Sequence, residues 1–312
     1  MILLWGISDD GPLMAVHEAL QRQRAPAFLL DQRQVLGTEI ELFIDKTVEG
    51  FIRLGDATCD LAALRAVYVR CYDSRRVPEI ECTGEGSAAW RHAQSVDETL
   101  TSLLEVTPAL VVNPMSAMAS NSSKPYQLSL IRSLGFEVPE TLITTDSSAA
   151  HDFWKRHGAV VYKSISGVRS IVSRLTEEHL NRLPDLRWCP TQFQQYVCGR
   201  DYRVHIVGNQ TFACEIATDA DDYRYAARRG RDVELRPYDL PADCADACRK
   251  LAAAFNLVVA GLDLRRTPEG QWCCFEVNPS PAFTYYAAAT DQPIADAVAR
   301  LLTREVDDRG ER

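Results

Sequence analysis

The chain has 312 residues, of which 46% are hydrophobic and 25% charged, and its formal net charge is −9. At about 150 residues per domain, this length predicts about two domains, with cores that need no disulfide or metal crosslink. The composition excludes a collagen, a coiled coil and a disordered tail protein. The acidic balance argues against a nucleic-acid partner.

No apolar run reaches the roughly 18–20 residues that span a membrane, and the apolar start is followed at once by Ser-Asp-Asp at positions 8–10. We therefore expect a cytoplasmic protein with no membrane partner. None of the ten cysteines forms a CxxC pair, and no histidines have the HExxH spacing, so zinc and disulfide sites are not predicted. Cys244 and Cys248 are expected to be buried apolar side chains of a helix.

The first part of the chain alternates strands and helices, which predicts an α/β unit with parallel strands. The predicted elements are strand 2–6, a helix from Gly11-Pro12 to about 24, strands 27–31 and 66–71, a helix from about 85 to 105, and strand 109–113. The early glycines do not form a GxGxxG, so this part is interpreted as a scaffold rather than a dinucleotide site.

The remainder predicts a second set of strands and helices after Asn113-Pro114. The predicted elements are helix 124–134, strand 141–144, helix 151–157, strands 160–163 and 191–197, a hairpin over 202–216 with Gly208-Asn209 as its two-residue turn, helix 241–255, strands 259–265 and 272–278, and a final helix from about 293 to 305.

The last two predicted strands carry a candidate metal site. A two-residue turn at Glu269-Gly270 places Asp263 opposite Glu276, and Asn278 shares the face of Glu276. Facing carboxylates repel each other unless a cation intervenes, and carboxylate and amide oxygens are the ligands that Mg²⁺ prefers. Asp263, Glu276 and Asn278 are therefore predicted to hold Mg²⁺. The alternative, two acids pointing to solvent, fits poorly with the apolar neighbours of Glu276.

Two lysines are candidates for phosphate contacts. Lys124 begins a predicted helix, and Lys163 ends a strand before a loop of small residues that includes Ser166 and Gly167. Backbone N–H groups and an ammonium suit a phosphate, although the loop lacks the Walker spacing. The alternative for each lysine is an ordinary surface position.

One predicted strand ends just before a glycine, and its backbone edge is a candidate binding site for the planar base of a nucleotide. Its residues are Gln194, Gln195, Tyr196 and Val197. Asp201 is a further predicted nucleotide contact. Arg203 is expected to face the same cavity as the metal if the sheet is continuous; the alternative is a surface cation paired with Asp201.

In their order, these motifs resemble those of a known family, the ATP-grasp carboxylate–amine ligases, and especially its RimK-like branch. The motifs are Lys124, VYKSISG at 161–167, QQYV at 194–197, GRDYRVHIVG at 199–208, AGLDL at 260–264 and FEVNPSP at 275–281. The resemblance runs from about residue 110 onward. A narrower resemblance, to the graspetide (microviridin-type) ligases that mature ribosomal peptides, rests on Asn113-Pro114, KPYQL at 124–128, VPET at 138–141, and FEVNPSPAF with Tyr285-Tyr286.

The resemblance implies an ATP-grasp fold with an N-terminal α/β pre-ATP-grasp domain. The implied parts are 1–115, a central subdomain 116–188, and a C-terminal subdomain 189–312 with the metal site. The resemblance implies that Lys124 and Lys163 contact the phosphates of ATP and that residues 194–197 form a hinge that binds the adenine. It implies that Arg203 binds the transferring phosphoryl group or the acylphosphate. Mg²⁺ would be held by Asp263, Glu276 and Asn278. Arg203 and Lys163 are the predicted catalytic residues. Gln195 stands where RimK-like proteins usually have an acidic residue.

The predicted function is ATP-dependent ligation, in which a carboxylate becomes an acylphosphate and then an amide or ester. The substrate read from the narrower resemblance is a precursor peptide. The alternatives are a small-molecule or amino-acid ligase and an ATP-binding regulator without turnover. A homodimer is common in the family. The basic stretch around Arg224 is interpreted either as a loop that meets an acidic substrate or the γ-phosphate, or as a solvated loop.

Overall fold

The computed structural model describes residues 1–119, 123–165, 172–218 and 232–304. Within these ranges, no helix combines the length and the apolar character that crossing a membrane requires. The predicted site residues Ser166, Gly167 and Arg224 lie outside the described residues, as does the whole basic stretch 222–231.

The N-terminal part consists of strands and helices that the sequence largely predicts. Its strands are β1 Ile2–Gly6, β2 Ala27–Asp31, β3 Thr38–Ile44, β4 Val48–Leu54, β5 Ala57–Asp60, β6 Ala66–Arg70 and β7 Leu110–Val112. Its helices are α1 Gly11–Arg22, α2 Pro78–Glu81 and α3 Ala88–Val106. The sheet β2-β1-β6-β7 is parallel, as predicted.

The antiparallel sheet β3-β4-β5 is absent from the sequence-based expectations. Its first strand alternates charged and apolar residues, which is the pattern of a half-buried strand. Ile40 and Leu42 pack against the N-terminal core, whereas Glu39 and Glu41 are exposed. This alternation is the sequence feature from which the strand could have been predicted.

The remainder of the described chain forms two further sheets and their helices. The strands are β8 Thr141–Thr144, β9 Val160–Ser164, β10 Ser173–Arg174, β11 Thr191–Gln195, β12 Arg200–Val207, β13 Gln210–Ala217, β14 Glu234–Pro237, β15 Val259–Arg266 and β16 Trp272–Asn278. The helices are α4 Met115–Met118, α5 Lys124–Ser133, α6 Ser147–His157, α7 Glu177–Leu180, α8 Ala242–Ala254, α9 Thr284–Thr290 and α10 Ile294–Thr303.

One sheet has the order β10-β9-β11-β8 and the other β14-β13-β12-β15-β16. The predicted hairpin with its turn at Gly208-Asn209 is confirmed, because Val207 pairs with Gln210. Cys244 and Cys248 are buried, as expected. The division of the chain near residue 188 stays a prediction; β11, which follows it directly, pairs with β8 and β9.

The hairpin β15–β16 places Asp263 opposite Glu276 as predicted, although the predicted turn is wrong. The backbone N–H of Thr267 donates to the Gln271 carbonyl, so three residues, not two, lie between the last hydrogen-bonded positions of the hairpin. A bulge between Asp263 and Leu264 shifts the register by one residue and restores the predicted pairing.

Asn113 joins the N-terminal part to the hairpin β15–β16. Its side-chain amide donates to the carbonyl oxygens of Val259 (2.6 Å) and Pro279 (2.5 Å), and its Oδ1 accepts from the backbone N–H groups of Val258 and Val259. The residue is 2% exposed. Buried polar groups are costly when unpaired, and this one side chain satisfies backbone groups at the start of β15 and in the loop that follows β16.

We expect Asn113→Ala to lower the free energy of unfolding by about 1–3 kcal/mol, because it leaves buried backbone groups unpaired. Chemical denaturation followed by circular dichroism measures the change. Asn181→Ala, at an exposed position, is the control. Equal stability of the two variants would contradict the role of Asn113.

Candidate active site

Residues that the sequence singled out separately line one cavity between the two C-terminal sheets. They are Lys163, Gln194, Gln195, Tyr196, Val197, Asp201, Asp263 and Glu276. Val161, Val172, Tyr202, Leu264, Arg265 and Phe275 complete the lining. The sheets therefore bring the predicted hinge, a predicted phosphate-binding lysine and the predicted metal carboxylates to one place.

Arg203 and Asp263 form an ion pair at the centre of the larger sheet. They occupy paired positions on β12 and β15, and Arg203 Nη1 lies 2.7 Å from Asp263 Oδ1. Arg203 thus lies beside a predicted metal carboxylate, and that it faces the same cavity as the metal stays a prediction. The alternative, a surface cation paired with Asp201, is wrong, because Arg203 is 5% exposed.

Lys124 and Glu276 form a second ion pair beside the first. Lys124 Nζ, at the start of α5, lies 2.9 Å from Glu276 Oε1, and both side chains are largely buried. Gln127, one turn later on the same helix, donates to the carbonyl of Val277. Helix α5 is thus fixed to β16, and each predicted metal carboxylate has a cation beside it.

The residues Asp263, Glu276 and Asn278 offer an oxygen donor set of the kind that suits Mg²⁺. The carboxylates lie on paired strand positions, and Asn278 Oδ1 accepts from the backbone N–H of Ser280, which fixes the direction of the amide. Among the described residues, no three His, Cys, Asp or Glu side chains form a metal cluster. The predicted set has two carboxylates and an amide, so phosphates and water would complete the coordination.

The segment that holds Asn278 is anchored to the N-terminal part by Arg70. Arg70 Nη1 donates to Ser280 Oγ (3.0 Å) and to the Pro281 carbonyl (3.2 Å). The same guanidinium forms a buried, bidentate ion pair with Asp10, the cap of α1. The parallel sheet therefore holds the loop that directly follows the predicted metal ligand Asn278.

Arg265 holds the hinge and was not predicted from the sequence. It donates to both carboxylate oxygens of Asp201 and to the Val197 carbonyl, each at 2.7 Å. Its guanidinium also lies near the rings of Tyr196 and Phe275. Burial acts to lower the pKa of Arg265, but Asp201 outweighs it and raises that pKa above its ordinary value. Asp201, predicted as a nucleotide contact, thus lines the cavity as the partner of a buried arginine.

Three hinge residues, Gln194, Gln195 and Tyr196, have fixed positions. Gln194 is buried and donates from Nε2 to Thr141 Oγ1 (3.0 Å). Arg174 lies 3.5 Å from the centroid of the Tyr196 ring. Gln195 and Tyr196 donate their backbone N–H groups to the carbonyls of Glu140 and Ala159. The hinge is therefore held by the neighbouring strands on one side and by Arg265 on the other.

The cysteines of β16 are buried and do not line this cavity. Burial raises the pKa of Cys273 to about 12 and that of Cys274 well above its ordinary value. A thiol acts as a nucleophile when it is ionised. The chemistry of the cavity is consequently that of carboxylates and cations.

The RimK-like ATP-grasp domain model matches residues 119–302, more than half of the chain. The chain belongs to the RimK-like ATP-grasp family. The predicted family, the ATP-grasp fold and the assignment as an ATP-grasp ligase, with ATP and Mg²⁺ as cofactors, are thereby confirmed.

Solved structures extend the likeness to the whole chain. The macrocyclase MdnC from Microcystis aeruginosa MRC, bound with precursor peptide MdnA, is 24% identical, with a TM-score of 0.81 over 97% of this chain and 99% of that one. A RiPP-associated ATP-grasp ligase from Chryseobacterium gregarium, in complex with ADP and a leader and core peptide, is 21% identical, with a TM-score of 0.80 over 96% of both chains. These likenesses show a shared fold that includes the N-terminal part.

A curated relative has a different substrate in its name. A probable alpha-L-glutamate ligase from Sodalis glossinidius (strain morsitans) is 26% identical over 219 residues, which are 67% of this chain and 73% of the relative.

We expect Arg265→Met to raise the Kd of a non-hydrolysable ATP analogue by about tenfold. The substitution leaves Asp201 and the Val197 carbonyl without their charged donor, and hydrogen bonds to charged groups contribute about 1.5–3 kcal/mol. Calorimetry measures the Kd. The matched control is the next residue, Arg266→Met, which is exposed on the same strand. The same Kd for both variants would contradict the role of Arg265.

Proposed function

We propose that this ATP-grasp ligase joins side chains within a ribosomally made precursor peptide, by way of an acylphosphate. The observation that carries the proposal is that Lys163, Asp263 and Glu276 line one cavity, and that Lys124 and Arg203 form ion pairs with its two carboxylates. Phosphoryl transfer needs little covalent help from a protein; it depends on position and on charge neutralisation.

Different site residues contact different parts of ATP. Residues 194–197 receive the adenine, and Lys163 and Lys124 bind phosphate oxygens. Asp263, Glu276 and Asn278 would hold Mg²⁺, which supplies positive charge toward the β- and γ-phosphates when bound. Lys124 and Arg203 contact the predicted metal carboxylates themselves, so the cations that bind phosphate also balance the charge of these partly buried acids.

The reaction has two steps at the γ-phosphorus and the carboxyl carbon. A carboxylate oxygen attacks the γ-phosphorus, and the bond from that phosphorus to the ADP oxygen breaks. An amine or hydroxyl of the substrate then attacks the carbonyl carbon, loses its proton, and displaces inorganic phosphate. Arg203 stabilises the charge on the transferring group and on the acylphosphate. The products are ADP, phosphate and an amide or ester.

The likeness to peptide ligases supports a peptide as the carboxylate substrate. MdnC and the Chryseobacterium gregarium ligase were both solved with precursor peptide segments, and they match this chain along nearly its whole length. The relative named as a probable alpha-L-glutamate ligase favours a second candidate, in which free glutamate is joined to an amine. The division into 1–115, 116–188 and 189–312 and a homodimer remain part of the proposal.

Mass spectrometry distinguishes the two candidates. We expect a candidate precursor peptide, incubated with the enzyme, ATP and Mg²⁺, to lose one water for each bond formed, because its own side chains are joined. A glutamate ligase would instead add one glutamyl residue to its acceptor. A mass gain with glutamate and no loss from any precursor peptide would replace the first candidate by the second.

We expect Glu276→Gln and Asn278→Ala each to lower carboxylate-dependent ADP release by about a hundredfold or more, because each removes a predicted metal ligand. Coupled ADP detection measures the rate, and thermal unfolding checks the fold. Glu269→Gln, at the exposed turn of the same hairpin, is the control. A near-normal rate in either site variant at limiting Mg²⁺ would exclude that residue from the metal site.

We expect Lys163→Ala and Lys124→Ala each to weaken binding of a non-hydrolysable ATP analogue, because a buried polyphosphate requires cationic partners. Calorimetry measures this, with the exposed Lys250→Ala as the control. Unchanged affinity in both site variants would mean that neither lysine binds the nucleotide.

A further inference from the structure

The Arg203 guanidinium is fixed at two of its nitrogen atoms. Nη1 donates to Asp263 at 2.7 Å, across the strands β12 and β15. Nε donates to Nε2 of His205 at 3.3 Å, two residues along the same strand face. Both Arg203 and His205 are buried. The two contacts together define the plane in which the guanidinium lies.

The direction of the second hydrogen bond sets the state of His205. An arginine Nε–H can only donate, so His205 Nε2 is the acceptor and the ring proton resides on Nδ1. Burial, and then the charge of Arg203, lowers the pKa of His205 well below its ordinary value. The ring also contacts Tyr286, at 5.2 Å between centroids, and Phe283, at 6.5 Å. It is therefore a neutral acceptor held by aromatic neighbours.

Gly261 supplies the space that this arrangement needs. It pairs with His205 across the strands. A Cβ at position 261 would lie 2.4 Å from Nη2 of Arg203 and 2.7 Å from Cβ of Pro281. Glycine within a strand often marks such a close approach. Tyr286 lies on another side of the guanidinium, with its ring centroid 5.5 Å from Arg203 Cζ.

We propose that His205 is a positioning residue for Arg203, which it aims at the transferring phosphoryl group, and that Gly261 is required for the same placement. The inference rests on the proposed role of Arg203. With the Asp263 contact alone, the guanidinium could rotate about that contact. Donors that stabilise developing charge are effective when they are fixed before the reaction begins.

Steady-state kinetics with a carboxylate substrate tests the catalytic consequence. We expect His205→Leu to lower kcat about 10–100-fold while the KM for ATP changes less than about threefold, because the loss falls on the transition state. His205→Gln, whose side-chain carbonyl oxygen can accept from Arg203 Nε, should recover most of the rate. His157→Leu, at another largely buried histidine on α6, is the control. Equal losses in the Leu and Gln variants would overturn the proposal.

A double-mutant cycle separates positioning from structural support. If His205 acts through Arg203, then His205→Leu costs little further rate in an Arg203→Lys background, since lysine has no Nε–H in that place. Gly261→Ala should reproduce the kinetic change of His205→Leu. Additive losses in the cycle would show that His205 acts independently of Arg203.

NMR of the arginine-labelled protein tests whether His205 positions Arg203 by a measurement that does not require catalysis. The Nε–H signal of Arg203 should exchange with solvent about tenfold faster or more in His205→Leu, and remain slow in His205→Gln. Unchanged exchange in His205→Leu overturns the proposal whatever the kinetics show. Changed exchange in an enzyme that releases no ADP would support the positioning role and contradict the proposed function instead.

Discussion

The ion pair between Arg203 and Asp263 is the contact on which the site depends. A carboxylate and a guanidinium are costly to remove from water unless each has a partner, and here they face each other across β12 and β15. The pair of Lys124 and Glu276 repeats this arrangement on β16. Because each acid has its own cation, two like charges can lie side by side in a sheet, and we propose that a divalent cation and phosphates bind the same set of groups.

This arrangement also depends on the N-terminal part of the chain. Asn113 and Arg70 bind the carbonyls of Pro279 and Pro281, on either side of Ser280, whose N–H fixes the Asn278 amide. The parallel sheet therefore contributes to the site although it lines none of the main cavity.

Local patterns in the sequence predict most of the helices and strands, and they predict which candidate site residues lie close together. Alternation within β16 and a hairpin place Glu276 opposite Asp263, and a continuous sheet adds Arg203. The predicted two-residue turn is wrong, but the bulge beside Asp263 compensates for it, and no local pattern announces such a bulge. Arg265, Arg70 and Asn113 were missed because their partners lie more than 60 residues away. The residues next to Arg265 and Arg70 in the sequence do not indicate whether these arginines are buried or lie on the surface. The glycine at 261, in contrast, indicates that another group approaches the strand closely.

Isotope transfer tests the central claim, that the cavity activates a carboxylate through the γ-phosphate. The substrate carboxylate is labelled with heavy oxygen, and the nucleotide and phosphate products are separated and analysed by mass spectrometry. We expect one labelled oxygen in inorganic phosphate for each bond formed, because the carboxylate oxygen that attacks the γ-phosphorus leaves with it. Label in AMP, or phosphate without label, would contradict the account.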